Sequence, residues 1–213
     1  MLNVQRFVFN PFNENTFLIW DDNSKETAVI DPGCFVKSEE AAISGFIDSN
    51  GLKIKYMINT HCHIDHIVGN AYIKSVYNPT YLAPENDIPL IESLVETGQE
   101  YGVSVKPSPL PDEYISEETP IMLGGIRGIF IFTPGHTPGE YSLYFEKDKI
   151  CFTGDLLFKD NIGRTDLWGG DYNTLINSIG IKLFALPDDV VIYPGHDSSS
   201  TIGHEKRSNP FFI

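Results

Sequence analysis

A chain of 213 residues, 41% hydrophobic and 21% charged, is sized and composed for one folded domain over residues 1–213 with a substantial core. No apolar run approaches the roughly 20 residues of a membrane helix, and Met1-Leu2-Asn3-Val4-Gln5-Arg6-Phe7 has neither the basic nor the apolar region of a secretory signal, so the cytoplasm is the expected location. A net charge of −14 repels nucleic-acid phosphates, which weighs against a nuclease and leaves a small molecule as the expected partner.

Residues 4–9, 16–20 and 27–30 read as short strands separated by turn residues, an antiparallel meander that Asp31-Pro32-Gly33 stops. Ser38 is placed to cap a helix to about residue 49, with Ala42, Ile43, Phe46 and Ile47 on one face and Gly51 just past its end. A strand over 53–59 leads into Thr60-His61-Cys62-His63-Ile64-Asp65-His66, and a helix over 67–77 follows. After a strand at 80–83, Ile88, Ile91, Leu94 and Val95 give residues 86–101 helical spacing. Residues 107–120 hold four prolines with Asp112, Glu113, Glu117 and Glu118, the composition of a solvated loop. Strands are expected at 128–133, 141–146 and 149–153, a helix at 174–186 with Leu175, Ile179, Leu183 and Leu186 on one face, and a buried strand at 190–193. Strands and helices in this mixture suggest two sheets face to face with helices outside and the functional site along one edge.

His61, His63, Asp65, His66, His136, Asp155 and His196 offer the nitrogen and oxygen donors that zinc and iron accept. A structural zinc is satisfied by four ligands, so seven candidates point to two ions sharing a carboxylate, an arrangement that activates water. In an extended path residues two apart face the same way, so His61 and His63 converge while Cys62 turns aside to pack. His136, Asp155 and His196 each follow a predicted strand and a glycine that permits a tight turn. Five of the six histidines lie in these islands, which is not how lone solvated histidines are distributed. Cys34, Cys62 and Cys151 are odd in number and lack paired spacing, which suits a reducing compartment.

The run Thr60–His66, with His136, Asp155 and His196 in that order, resembles the metallo-β-lactamase superfamily over nearly the whole chain. Within it, Thr133-Pro134-Gly135-His136-Thr137-Pro138-Gly139, Phe152-Thr153-Gly154-Asp155, Ile162-Gly163-Arg164-Thr165-Asp166 and the ending from Thr201 to Phe211 are similar to short bacterial glyoxalase II-like hydrolases. The resemblance implies an α/β fold, a four-layer αβ/βα sandwich of two mixed sheets flanked by helices, and hydrolysis of glutathione-type thioesters by a hydroxide that bridges two metals. By position, His61, His63 and His136 would hold one divalent ion, Asp65, His66 and His196 the second, and Asp155 both; zinc is the expected metal, with iron or manganese as alternatives. Asp65 would also align the attacking water. The same pattern resembles persulfide dioxygenases, in which one iron is held by residues matching His61, His136 and Asp155; a metal-stabilised module without catalysis is the third reading. β-Lactamases resemble it less, commonly carrying cysteine where Asp155 stands. Asp31 is a candidate to orient a ligand histidine, and Arg164 to meet a substrate carboxylate or, by preference, to pair with Asp166. Lys206 and Arg207 are candidate attractors of an anionic substrate, and His204 is assigned to the surface.

Overall fold

The computed structural model describes residues 1–213. β1 (Leu2–Phe9), β2 (Glu14–Asp21) and β3 (Glu26–Ile30) form the antiparallel meander, with Leu2 opposite Asp21 and Phe9 opposite Glu14. Helix α1 (Lys37–Ser49) carries the chain to β4 (Lys53–Ile58), which lies parallel to β3. Two helices, α2 (Ile64–Ile67) and α3 (Asn70–Tyr77), precede β5 (Thr80–Ala83); α4 (Ile88–Glu92) and α5 (Leu94–Glu100) precede β6 (Glu113–Tyr114). These strands make a six-stranded sheet in the order β1-β2-β3-β4-β5-β6.

The second sheet uses β7 (Ile121–Leu123), β8 (Ile126–Phe132), β9 (Tyr141–Phe145) and β10 (Ile150–Gly154). A small ribbon of β11 (Leu157–Phe158) and β12 (Asn161–Ile162) and then α6 (Tyr172–Asn177) intervene before β13 (Val191–Pro194), which lies parallel to β10. β14 (Ser200–Thr201) and α7 (Ile202–Ser208) complete the order β14-β13-β10-β9-β8-β7.

Strand alternation explains the layering, because successive side chains point to opposite faces. Phe17, Ile19, Ala28, Ile30, Ile58 and Leu82 of the first sheet meet Leu143, Phe145 and Phe152 of the second in one inner core. Their neighbours Leu18, Val29, Met57 and Tyr81 face the other way and pack with Ile43, Ile47, Ile67 and Ile73 of the helices. On the far side, Tyr144, Cys151 and Ile192 pack with Leu175, Ile179 and Ile202. The result is the expected four layers, helix, sheet, sheet, helix.

Several expectations need adjustment. α1 starts at Lys37 with Val36 at its N-cap, and Glu39, rather than Ser38, accepts the free Phe35 and Val36 N–H groups at 2.7 and 3.2 Å. The helix expected over 67–77 is two pieces, parted where Gly69 passes the Asp31–Gly33 turn so closely that a Cβ there would lie 2.5 Å from the Pro32 carbonyl. Residues 86–101 break at Ser93 into α4 and α5. α6 begins at Tyr172, where Asp171 accepts the Thr174 N–H at 2.7 Å, and the chain continues through Ser178–Leu183 as a wider π-helical turn. The 107–120 segment is more than a solvated loop: Asp112 accepts the Tyr81 N–H at 2.7 Å and draws β6 into the sheet. Cys62 packs in the core as the alternation requires, and burial pushes its thiol well up, as it does Cys34 to about 12.

The ends of four strands come together at one edge. β3 ends before Asp31, β4 before Asn59–His61, β10 before Asp155 and β13 before His196. Two backbone hydrogen bonds tie the sheets there, from Tyr141 N–H to the Thr60 carbonyl at 2.9 Å and from Asn15 N–H to Gly195 at 2.7 Å, and within the second sheet Gly195 N–H donates to Gly154 at 2.8 Å. Ligand sites in open α/β sheets likewise sit beyond the carboxyl ends of the strands.

Candidate metal centre

At that edge the structure brings all seven predicted donors together. Ligand atoms of His61, His63 and His136 lie within 4.8 Å of one another, as do those of Asp65, His66 and His196. Asp155 lies between the two groups: Oδ1 is 3.5 Å from His66 Nε2, and Oδ2 is 3.6 Å from His136 Nε2 and 3.5 Å from His196 Nε2. His63 Nδ1 faces His136 Nε2 at 2.8 Å, and Asp65 Oδ2 is 3.2 Å from His196 Nε2.

Hydrogen bonds fix the outer nitrogens of two rings, His136 and His61, which aims their inner nitrogens at the centre, and a carboxylate lies beside the outer nitrogen of a third, His66. His136 Nδ1 lies 2.7 Å from the Arg164 carbonyl, which only accepts, so Nδ1 carries the proton and Nε2 the lone pair. Thr60 Oγ1 donates to Asp31 Oδ2 at 2.7 Å and is thereby left to accept from His61 Nδ1 at 3.2 Å. Asp31 Oδ2 also approaches His66 Nδ1 at 3.2 Å, a charge contact without hydrogen-bond geometry. Asp31 itself takes a left-handed φ of 48° and accepts the Thr60 N–H on Oδ1 at 2.7 Å. Thus one carboxylate reaches two rings of the cluster, one directly and one through Thr60.

Arg164 behaves as the ion-pair reading expects: Nε and one terminal nitrogen hold Asp166 at 2.7 and 2.8 Å, and the guanidinium keeps the Asp166 carboxyl near 2. Lys206 and Arg207 pair with Asp188 at 2.7 and 3.3 Å, away from the site, and His204 pairs with Asp160 at 2.6 Å.

Electrostatics separate the rings. Burial holds His61 well below its usual range and His63 near 3, and it also lowers His136, so these three are neutral donors at pH 7. Burial opposes charge on His66 too, yet the Asp155 and Asp65 carboxylates drive it well up; His196 rises against burial through its contact with Asp65. In turn, and against the cost of burial, His66 pulls Asp155 and Asp65 below the usual carboxylate range. Seven buried side-chain atoms have no hydrogen-bond partner in the protein, and three of them, His61 Nε2, His66 Nε2 and Asp155 Oδ1, belong to the contacts between donors. Buried polar atoms without partners are costly, and these three point into the cluster where a cation would satisfy them.

A profile described as the metallo-beta-lactamase superfamily matches residues 9–196. The chain belongs to that superfamily. Hydroxyacylglutathione hydrolase GloC of Haemophilus influenzae is 40% identical over 212 residues, 99% of this chain and 98% of that one. Among superfamily structures, the BLEG-1 B3 metallo-beta-lactamase superposes with a TM-score of 0.90 at 27% identity, covering both chains fully. TTHA1623, solved in a di-iron-bound form, superposes with a TM-score of 0.86 at 29% identity over 98% of this chain and all of that one.

Within this superfamily fold, four buried polar residues at the edge escape sequence reading. Glu140 is fully buried; its Oε1 accepts the Asp155 N–H at 2.7 Å and lies 3.8 Å from His61 Nδ1, and burial raises its carboxyl well up. Asp87 accepts from Cys62 N at 3.1 Å, Thr137 Oγ1 at 2.7 Å and Gly139 N at 2.7 Å, which pins the His61–His63 segment to the His136 loop. Thr60 and Glu14 complete the set, the latter fully buried beneath Asp31 and Gly33. The available signal was a charged residue at the head of a strand, as Glu14 opens β2 and Glu140 precedes β9. Glycines give the donors room: a Cβ on Gly195 would lie 2.2 Å from Asp155 Oδ1 and 2.6 Å from His66 Cε1, and Gly154 takes φ +51°.

Proposed function

We propose that the protein is a binuclear metal-dependent hydrolase of thioesters, similar in reaction to the hydroxyacylglutathione hydrolase it resembles, acting on a small molecule in the cytoplasm. One observation carries this reading. Seven donors form two triads with Asp155 between them, and the unpartnered nitrogens of His61 and His66 and the free oxygen of Asp155 face the same space. His61, His63 and His136 would hold one cation, Asp65, His66 and His196 the other, and Asp155 both. Such a donor set fits zinc, and fits iron or manganese as well.

When bound, two divalent cations would polarise the carbonyl and lower the pKa of water towards ~7. The chain supplies the rest. Asp65 stands at the floor of the open cleft, where its carboxylate accepts a hydrogen bond from the attacking water and orients it. Asp31 holds His66 and, through Thr60, His61, so neither ring swings as charge develops. As the water oxygen bonds to the carbonyl carbon, one of its protons passes to Asp65; the carbon–sulfur bond breaks, the carboxylic acid departs with the other proton, and the sulfur leaves as thiolate that takes the proton back from Asp65.

Metal content and turnover measured on one sample test the proposal. About two zinc equivalents per chain with thioester hydrolysis support it. One iron with oxygen uptake on a persulfide would replace it with the dioxygenase reading, and bound metal with neither activity would leave a metal-stabilised module.

A further inference from the structure

The cleft above the donor cluster has a volume of about 830 Å³. Leu90, Leu94 and Tyr101 from the α4–α5 side, Leu167 and Trp168 from the segment before α6, and Phe12 from the β1–β2 turn line it. Trp168 is 54% exposed, Tyr101 53% and Phe12 39%, although they come from three separate segments. Phe12 and Tyr101 meet edge to face with ring centroids 5.5 Å apart. Exposed aromatic surface gathered around one mouth marks a place where an apolar group binds.

Charge narrows the choice. Outside the donor cluster the cleft wall has two charged side chains, Glu100 and Arg164. Arg164 is committed to Asp166 through two hydrogen bonds, and Lys206 and Arg207 are committed to Asp188. Glu100 takes part in no ion pair, and the chain as a whole carries −14. A thiol arm bearing carboxylates, such as glutathione with its two, would meet a free acid and no free cation.

Resting on the thioester reading, we propose that this cleft binds the thiol arm of an uncharged, apolar thioester, with Leu90, Leu94, Tyr101 and Trp168 as its walls and Glu100 as a specificity residue that disfavours anionic arms. An aromatic or branched alkyl arm packs between the α4–α5 wall and Trp168 while the carbonyl lies over Asp65 and Asp155. Glutathione thioesters are then poor substrates.

Non-hydrolysable acylmethyl thioethers with the same acetyl group and either a phenylethyl or a glutathionyl arm separate the possibilities by calorimetry on metal-loaded protein. The phenylethyl compound is expected to bind at least about tenfold more tightly. Trp168→Ala should weaken the phenylethyl compound about tenfold and the glutathionyl compound less than twofold. Glu100→Gln should tighten the glutathionyl compound about threefold at low salt and leave the other unchanged. Equal or tighter binding of the glutathionyl compound, or indifference to both substitutions, overturns the inference. The matching thioesters are assayed beside them. Apolar binding preference without hydrolysis of either ester supports the cleft assignment while overturning the thioester reading; hydrolysis with the glutathionyl ester preferred overturns the cleft assignment alone.

Discussion

Asp87 offers a quantitative test of how the His61–His63 and His136 segments are held together. Its carboxylate is fully buried, and burial pushes it from an ordinary 3.8 to about 6, despite three donated hydrogen bonds. The folded state therefore binds a proton that the unfolded state has released between those two values. The stabilisation is fully present below about pH 4 and is lost as the pH rises through 6. A shift of about two units corresponds to about 3 kcal/mol. Asp87→Asn removes the titration. Its amide oxygen keeps Cys62 N–H and the Thr137 hydroxyl, but its NH2 replaces the oxygen that accepts Gly139 N–H at 2.7 Å and sets donor against donor. That mismatch costs about 1–3 kcal/mol at every pH. The variant should thus be less stable than the parent at pH 4, and the gap should close or reverse by about 3 kcal/mol at pH 7. Urea unfolding of both metal-stripped proteins in steps from pH 4 to 7 measures it; taking the difference cancels the titration of Glu14, which burial also raises, while Glu140, which burial and the Asp87 charge push up, titrates lower in the variant and closes the gap in the same direction. A difference that stays flat across pH 4–6 would refute the account of a protonatable pin.

Other outcomes follow from the same geometry. Asp65→Ala should lower kcat at least about a hundredfold while the melting temperature of the metal-stripped protein moves by only a few degrees; near-normal turnover would remove Asp65 from the mechanism. Asp31→Ala releases His66 and lets Thr60 rotate off His61, so metal affinity measured by competition with a chelator should fall about 10–100-fold, and an unchanged affinity would mean that the rings are held by packing alone. Gly195→Ala places a methyl 2.2 Å from Asp155 Oδ1 and should displace that carboxylate, so bound metal per chain should drop even where circular dichroism shows a folded protein.

What could be read from the chain depended on whether the information was local. Phe17, Leu18 and Ile19 form a short apolar run bounded by turn residues, so the strand was legible, and the mixture of such runs with helical spacings suggested the layered fold; which sheet face each side chain takes comes from the packing. The donors at 61–66 are neighbours in sequence, and their convergence follows from an extended path that turns into α2. Contacts made across the fold left no such trace. Asp87 pins loops 25 and 52 residues away, and Glu140 reaches Asp155 from the neighbouring strand of the second sheet, so neither has a local pattern. β6, β11 and β12 are two residues each, too short for any period, and exist because β5 or each other supplies the partner. The carbonyl of Arg164 fixes His136, and a main-chain atom carries no signature of its residue type.

Both donor triads are split in the same way. Each takes two members from residues 61–66 and its third from the later half of the chain, His136 in one and His196 in the other. A growing polypeptide consequently owns only half-built cation sites until those two histidines have been made and the second sheet has docked. If the two triads hold cations as proposed, loading belongs to the closing stage of assembly, once donors from both halves of the chain are in place.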